Sequence, residues 1–65
     1  MIYAHIIEAG TGQMLVRQRI IECPRVGDQI RLTEDRYYAV TQVVWCLDEL
    51  SDQGQRVNIG VRATP

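Results

Sequence analysis

The side chains with the most chemical reach in this sequence are arginine and tyrosine. Every basic residue is Arg and none is Lys, and a guanidinium presents a planar fork of donors that matches carboxylate or phosphate oxygens two at a time. Arg17, Arg19, Arg31, Arg56 and Arg62 take outward positions on alternating segments, with Tyr3 and Tyr37 on alternate positions of their own. Should neighbouring strands align them, they would form a basic, aromatic surface suited to phosphates and to stacking single-stranded bases. Glu8, Glu22, Glu34 and Asp35 are interspersed, so the plainer expectation is cross-strand pairing of Arg with Glu on a solvated face. The absence of Lys is equally what a GC-rich coding sequence would produce.

Other chemistries find less support. His5 is the only histidine, which excludes a two-histidine metal site or a histidine relay within one chain. Cys23 and Cys46 lack the close pairing of zinc ligands and are expected to be free thiols. Among the hydroxyl residues Thr11, Thr33, Thr41, Ser51 and Thr64, Ser51 has no base near it in sequence, so no activated nucleophile is in view. Asp48, Glu49 and Asp52 resemble an oxygen-ligand cluster for a hard cation, but without the alternation of a calcium loop they read as an exposed turn. Gly10 and Gly12 lack the Lys and the following helix of a phosphate loop, and read as a hairpin turn. No cofactor and no metal site is expected.

The elements that must carry these side chains follow a period of two. Ile2 to Glu8 is rich in β-branched and aromatic residues, with Ile2, Ala4 and Ile6 on one face. Met14 to Glu22 places Met14, Val16 and Ile20 on one face and Leu15, Arg17, Arg19 and Ile21 on the other, with Gln18 interrupting the first. Pro24 cannot donate a ladder hydrogen bond, so Cys23 to Asp28 reads as a connection. Gln29 to Leu32 resumes the alternation, with Ile30 and Leu32 inward. From Tyr37 to Leu47 the parity changes: Tyr38 and Val40 share one face, whereas Val43, Trp45 and Leu47 have the opposite register. A β-bulge near residues 41–42 returns both sets to one core and bends the strand. Glu49 to Gln55 reads as a polar loop, and Arg56 to Arg62 alternates cleanly with Val57, Ile59 and Val61 inward. No helical periodicity appears.

These segments define a single small all-β domain spanning residues 1–65, a five-stranded antiparallel meander curled into a small barrel. A chain of 65 residues has room for one core and buries roughly 60% of the surface its unfolded form exposes. A partner is one common remedy for so small a core. Ile7, Leu15, Ile21 and Val44 lie opposite the assigned core, and an apolar patch there would serve a homodimer. No run approaches the length of a membrane span, and the formal charge of −1 gives the whole chain no pull toward nucleic acid or anionic membrane.

The stretch Pro24-Arg25-Val26-Gly27-Asp28-Gln29-Ile30-Arg31-Leu32, followed by Tyr38-Ala39-Val40 and Val43-Val44-Trp45, resembles SH3-like small barrels, in which a Gly-Asp pair often opens a strand and a bulged, bent strand follows. It is also similar to short bacterial and phage-type proteins with the same arrangement. The resemblance covers residues 24–62 and implies architecture more than activity, since such barrels host peptide binding, RNA binding, assembly and occasional enzymes. The expectation is a cytoplasmic, non-enzymatic module that binds another protein or itself. Nucleic-acid binding through the Arg and Tyr face is the alternative, and an enzyme whose site forms across an oligomer interface is a third.

Overall fold

The computed structural model describes residues 2–51 and 54–64. They form β1 (Ile2–Glu8), β2 (Met14–Ile20), β3 (Gln29–Thr33), β4 (Arg36–Ser51) and β5 (Gly54–Ala63), joined in one sheet of order β2-β1-β5-β4-β3 that curls into a half-barrel. The all-β, five-stranded expectation stands. No helix long and apolar enough to cross a membrane occurs among the described residues.

Three of the pairings are those of a meander: β1 with β2, β3 with β4, and β4 with β5, all antiparallel. The first and last strands of a five-stranded meander run the same way, so rolling it up makes the closing pair parallel. β1 and β5 indeed pair in parallel, from Ile2↔Gln55 to Glu8↔Val61. The departure from a closed antiparallel meander lies elsewhere: β2 and β3 occupy the two ends of the sheet, so the barrel is cut between its second and third strands. The cause is local. Pro24 stands in the connection after β2, and the connection is tied to β4 instead. Gly27, at φ +99°, donates its N–H to Val40 O (2.9 Å), and Val40 donates to Asp28 O (2.8 Å).

The core lies on the concave face and consists of Ala4, Ile6, Tyr38, Val40, Val57, Ile59 and Val61. Val57, Ile59 and Val61 are the largest fully buried side chains, and each contributes on the order of 1.5–3 kcal/mol. The register of β4 against β5 shifts between Val40 and Gln42, so that Val40↔Val61 on one side of the shift and Val43↔Ile59 on the other both face the core. That is the bulge the parity change demanded. Gly60 sits opposite it, and a Cβ there would lie 3.3 Å from the Gln42 Cβ. Trp45 and Leu47, expected in the core with Val43, are instead 40% and 66% exposed, because β3 pairs only with residues 36–39 and leaves this end of β4 without a neighbour on that side among the described residues.

Two further sequence expectations need correction. A second register shift, between Ile6 and Ile7, pairs Ile6 with Val16 but Ile7 with Met14. Leu15 is the extra residue; it packs against the core, while Met14 moves to the outer row beside Ile7 and is exposed. The expected polar loop from Glu49 to Gln55 is shorter than the sequence suggests, because β4 continues to Ser51, which pairs with Gly54 at the start of β5. The acidic residues Asp48 and Glu49 stand on this strand extension, and Asp52 lies outside the described residues.

Candidate binding surfaces

Cutting the barrel between β2 and β3 leaves a groove of about 470 Å³ whose apolar lining includes Ile6, Val16, Ile20, Ile30, Leu32 and Ile59. Gln18, Glu22, Asp28 and Arg31 supply its polar atoms, and Cys23 and Pro24 close one end. Both walls are strand edges, and hydrogen bonding elsewhere reveals which backbone groups face the opening. Ala9 N–H donates to Val61 O of β5, whereas Glu8 N–H donates to Gln13 O just before β2. Antiparallel pairs alternate between bonded and non-bonded, which makes Ile6↔Val16 and Ala4↔Gln18 the bonded pairs and turns the N–H and C=O of Arg17 and Arg19 into the seam. Across it, Tyr37 O accepts from Thr64 N–H, so Tyr38 bonds toward its partner Ile30. The backbone groups of Gln29 and Arg31 then face the seam from the other side.

Cys23 stands at this groove with its thiol donating to Pro24 O (3.4 Å). Burial raises its pKa above the ordinary thiol value. Cys46 is on β4, and both thiols are free.

The convex face carries the second surface. Register sets Arg19, Tyr3 and Arg56 in one row across β2, β1 and β5, and Arg17, His5 and Asn58 in the next. Arg19↔Tyr3 and Arg17↔His5 are non-bonded pairs by the alternation just given, the geometry in which facing side chains come closest. The rings of Tyr3 and His5 lie edge to face, 5.7 Å apart at 63°. In the register, Arg17 stands opposite His5, Arg19 opposite Tyr3, and Arg56 between Tyr3 and Cys46, so no carboxylate lies directly opposite Arg17 or Arg19. Glu22, Asp28, Glu34 and Asp35 sit in turns and connections, Asp48 and Glu49 stand on the β4 extension, and Glu8, at the end of β1, accepts from the Thr11 hydroxyl (3.2 Å). Beyond the second row, Ile7, Val44, Asn58 and Gly60 line a shallow groove of about 300 Å³. Asn58 buries its Oδ1 there without a hydrogen-bond partner in the described structure.

Of the residues singled out as a basic, aromatic face, Tyr3, Arg17, Arg19 and Arg56 therefore converge, whereas Arg31, Tyr37 and Arg62 do not join them. Arg31 pairs with Tyr37 on β3 and β4, and Arg62 faces Ala39, about 20 Å from Arg56 along β5 at ~3.3 Å per residue. His5 and Asn58 were missed, although His5 shares the parity of Tyr3. The candidate dimer residues are likewise dispersed. Ile7 and Val44 flank the groove over Gly60, Leu15 packs on the core, and Ile21 projects from the connection at 88% exposure. Among the described residues, no group of three or more His, Cys, Asp or Glu is placed to hold a metal ion.

The chain is thus a small all-β half-barrel with an open seam and a basic, aromatic outer face. No family model matches it, and neither a curated protein nor a solved structure does.

Proposed function

We propose that this protein is a non-enzymatic protein-binding module whose open seam accepts an extended segment of a partner polypeptide. The observation that carries the reading is the pairing of two free strand edges with an apolar floor: β2 and β3 end the sheet on either side of a groove lined by Val16, Ile20, Ile30 and Leu32. A strand laid between them gains main-chain hydrogen bonds from Arg17 and Arg19 on one side and Gln29 and Arg31 on the other, and its alternate side chains enter the groove. The occupant is accordingly extended, with an apolar residue at every second position. The likeness to SH3-like barrels agrees with peptide binding, and two free thiols agree with a reducing, cytoplasmic setting.

Self-association through these edges is disfavoured by charge. Antiparallel pairing of β2 with a second β2 about its centre sets Arg17 against Arg17 or Arg17 against Arg19, and β3 with β3 centres on Arg31; like charges directly opposite destabilise a sheet. Selection from a displayed library of random seven-residue peptides tests the proposal. Enriched sequences should show apolar alternation and shift the amide resonances of Val16, Ile20, Ile30 and Leu32. Arg31→Pro, which deletes one seam-facing donor from an edge strand, should abolish capture while leaving the fold intact. Peptides that bind this variant equally well would refute the seam as the site.

A further inference from the structure

We infer that the outer face of β2, β1 and β5 is a binding site for single-stranded nucleic acid, distinct from the seam and centred on Tyr3, His5, Arg17 and Arg19. The first argument is charge segregation. The chain as a whole carries −1, yet β2 and β5 contain no carboxylate and β1 only Glu8 at its end. Arg17 and Arg19, both exposed, project from the same side of β2, separated by roughly 7 Å at ~3.4 Å per residue. They form a short track for consecutive phosphates.

The second argument is the aromatic pair beside that track. Tyr3 and His5 are half-buried, held by the sheet, and inclined at 63° to one another. Rings fixed at that angle suit bases splayed out of a stack, as in a single strand, and not the parallel stack of a duplex. A guanidinium row flanking a ring row is the arrangement in which phosphate pairing and base stacking act on one strand together. Asn58 adds a third feature: its side-chain amide stands in the row of His5 and lines the adjoining groove with an unmet acceptor. Buried polar groups are ordinarily satisfied, and a polar amide kept at such a position gives the groove a means of reading a base edge.

A fluorescein-labelled oligouridylate of about a dozen nucleotides is titrated with the intact chain, following anisotropy at two salt concentrations. Binding is expected at low salt and should weaken as salt rises, with a logarithmic slope of about −1.4 for two phosphate contacts on a single strand. Arg17→Gln with Arg19→Gln should flatten that slope. Tyr3→Leu should weaken binding by roughly 5- to 150-fold, the range for losing one base stack, whereas Tyr3→Phe should retain it. Arg62→Gln, on the same face but remote, and the seam variant Arg31→Pro should both bind as the parent does, which separates this site from the peptide groove. Circular dichroism melts of each variant confirm that it folds. The inference is overturned by an absence of binding at low salt, by equal affinity for heparin, duplex or anionic vesicles, or by Arg62→Gln weakening binding as much as the Arg17 and Arg19 changes.

Discussion

At the scale of single residues, the chain places its reactive and polar groups where the sheet geometry gives each a distinct environment. Cys23 shows this most directly. It follows β2 at the mouth of the seam, lies half-buried against the core, and has its pKa raised by burial. In the unfolded chain the thiol ionises near its ordinary value, so at alkaline pH the unfolded state loses a proton that the folded state keeps. The contribution is therefore fully present below the unfolded pKa and fades as pH rises through the folded one. Urea unfolding of the parent should show stability declining with pH across that alkaline window, and Cys23→Ala should lose this component of the slope. Iodoacetamide should likewise alkylate Cys23 more slowly at pH 8 than it does a free cysteine peptide, because the thiolate is the nucleophile. Equal rates would mean that the thiol is not shielded.

At the scale of elements, parity explains what the sequence reveals and what it hides. The alternation of Val57, Ile59 and Val61 could come only from a strand buried on one face, and they form the centre of the core. The mismatch between Val40 and Val43 required one extra residue, and the register shift appears at Thr41. The bulge at Leu15 left no such trace, because Met14 and Val16 already share parity and only the pairing with β1 shows that they face opposite sides. The polar stretch after Leu47 hid its strand character because it lacks the apolar alternation by which a strand buried on one face is read. The open seam was illegible for a different reason: whether two edges meet is decided by long-range pairing, here by Gly27 and Asp28 binding Val40. In the candidate site, the convergence of Tyr3, Arg17 and Arg19 could be suspected from shared parity, but membership of Arg56, and the exclusion of Arg31 and Arg62, depended on strand order. The β4 bulge also makes a prediction. Gly60 leaves 3.3 Å between a hypothetical Cβ and that of Gln42, and 3.4 Å to Thr41 Oγ1. Gly60→Val forces both away and should destabilise the fold by about 1–3 kcal/mol, the usual range for overpacking, read as a lower urea midpoint at unchanged slope. A neutral result would show that the bulge yields freely.

At the scale of the whole molecule, one small core supports an open sheet. Seven side chains are buried among the described residues, and the sheet is drawn out to 38 × 21 × 18 Å, with Leu47 66% exposed. Closure on one side by the parallel β1–β5 pair is offset by the loss of β2–β3 pairing on the other, so Val16, Ile20, Ile30 and Leu32 are only partly withdrawn from water. A segment that fills the seam would complete their burial and satisfy the edge donors of Arg17, Arg19, Gln29 and Arg31, and none of that gain is available to the unfolded chain. Stability and seam binding must then be linked. A seam peptide at one hundred times its dissociation constant should stabilise the fold by about 2.7 kcal/mol, and at about 4–8 °C per kcal/mol for a domain of this size the melting temperature should rise on the order of 10–20 °C. An oligouridylate held on the rigid outer rows should raise it by its own affinity alone and add to the peptide's effect, since the two surfaces lie on opposite faces of β2. Differential scanning fluorimetry with each probe, then with both, measures this. A free protein that already melts above about 90 °C, or two probes whose effects exclude one another, would contradict an open, ligand-completed barrel with two independent faces.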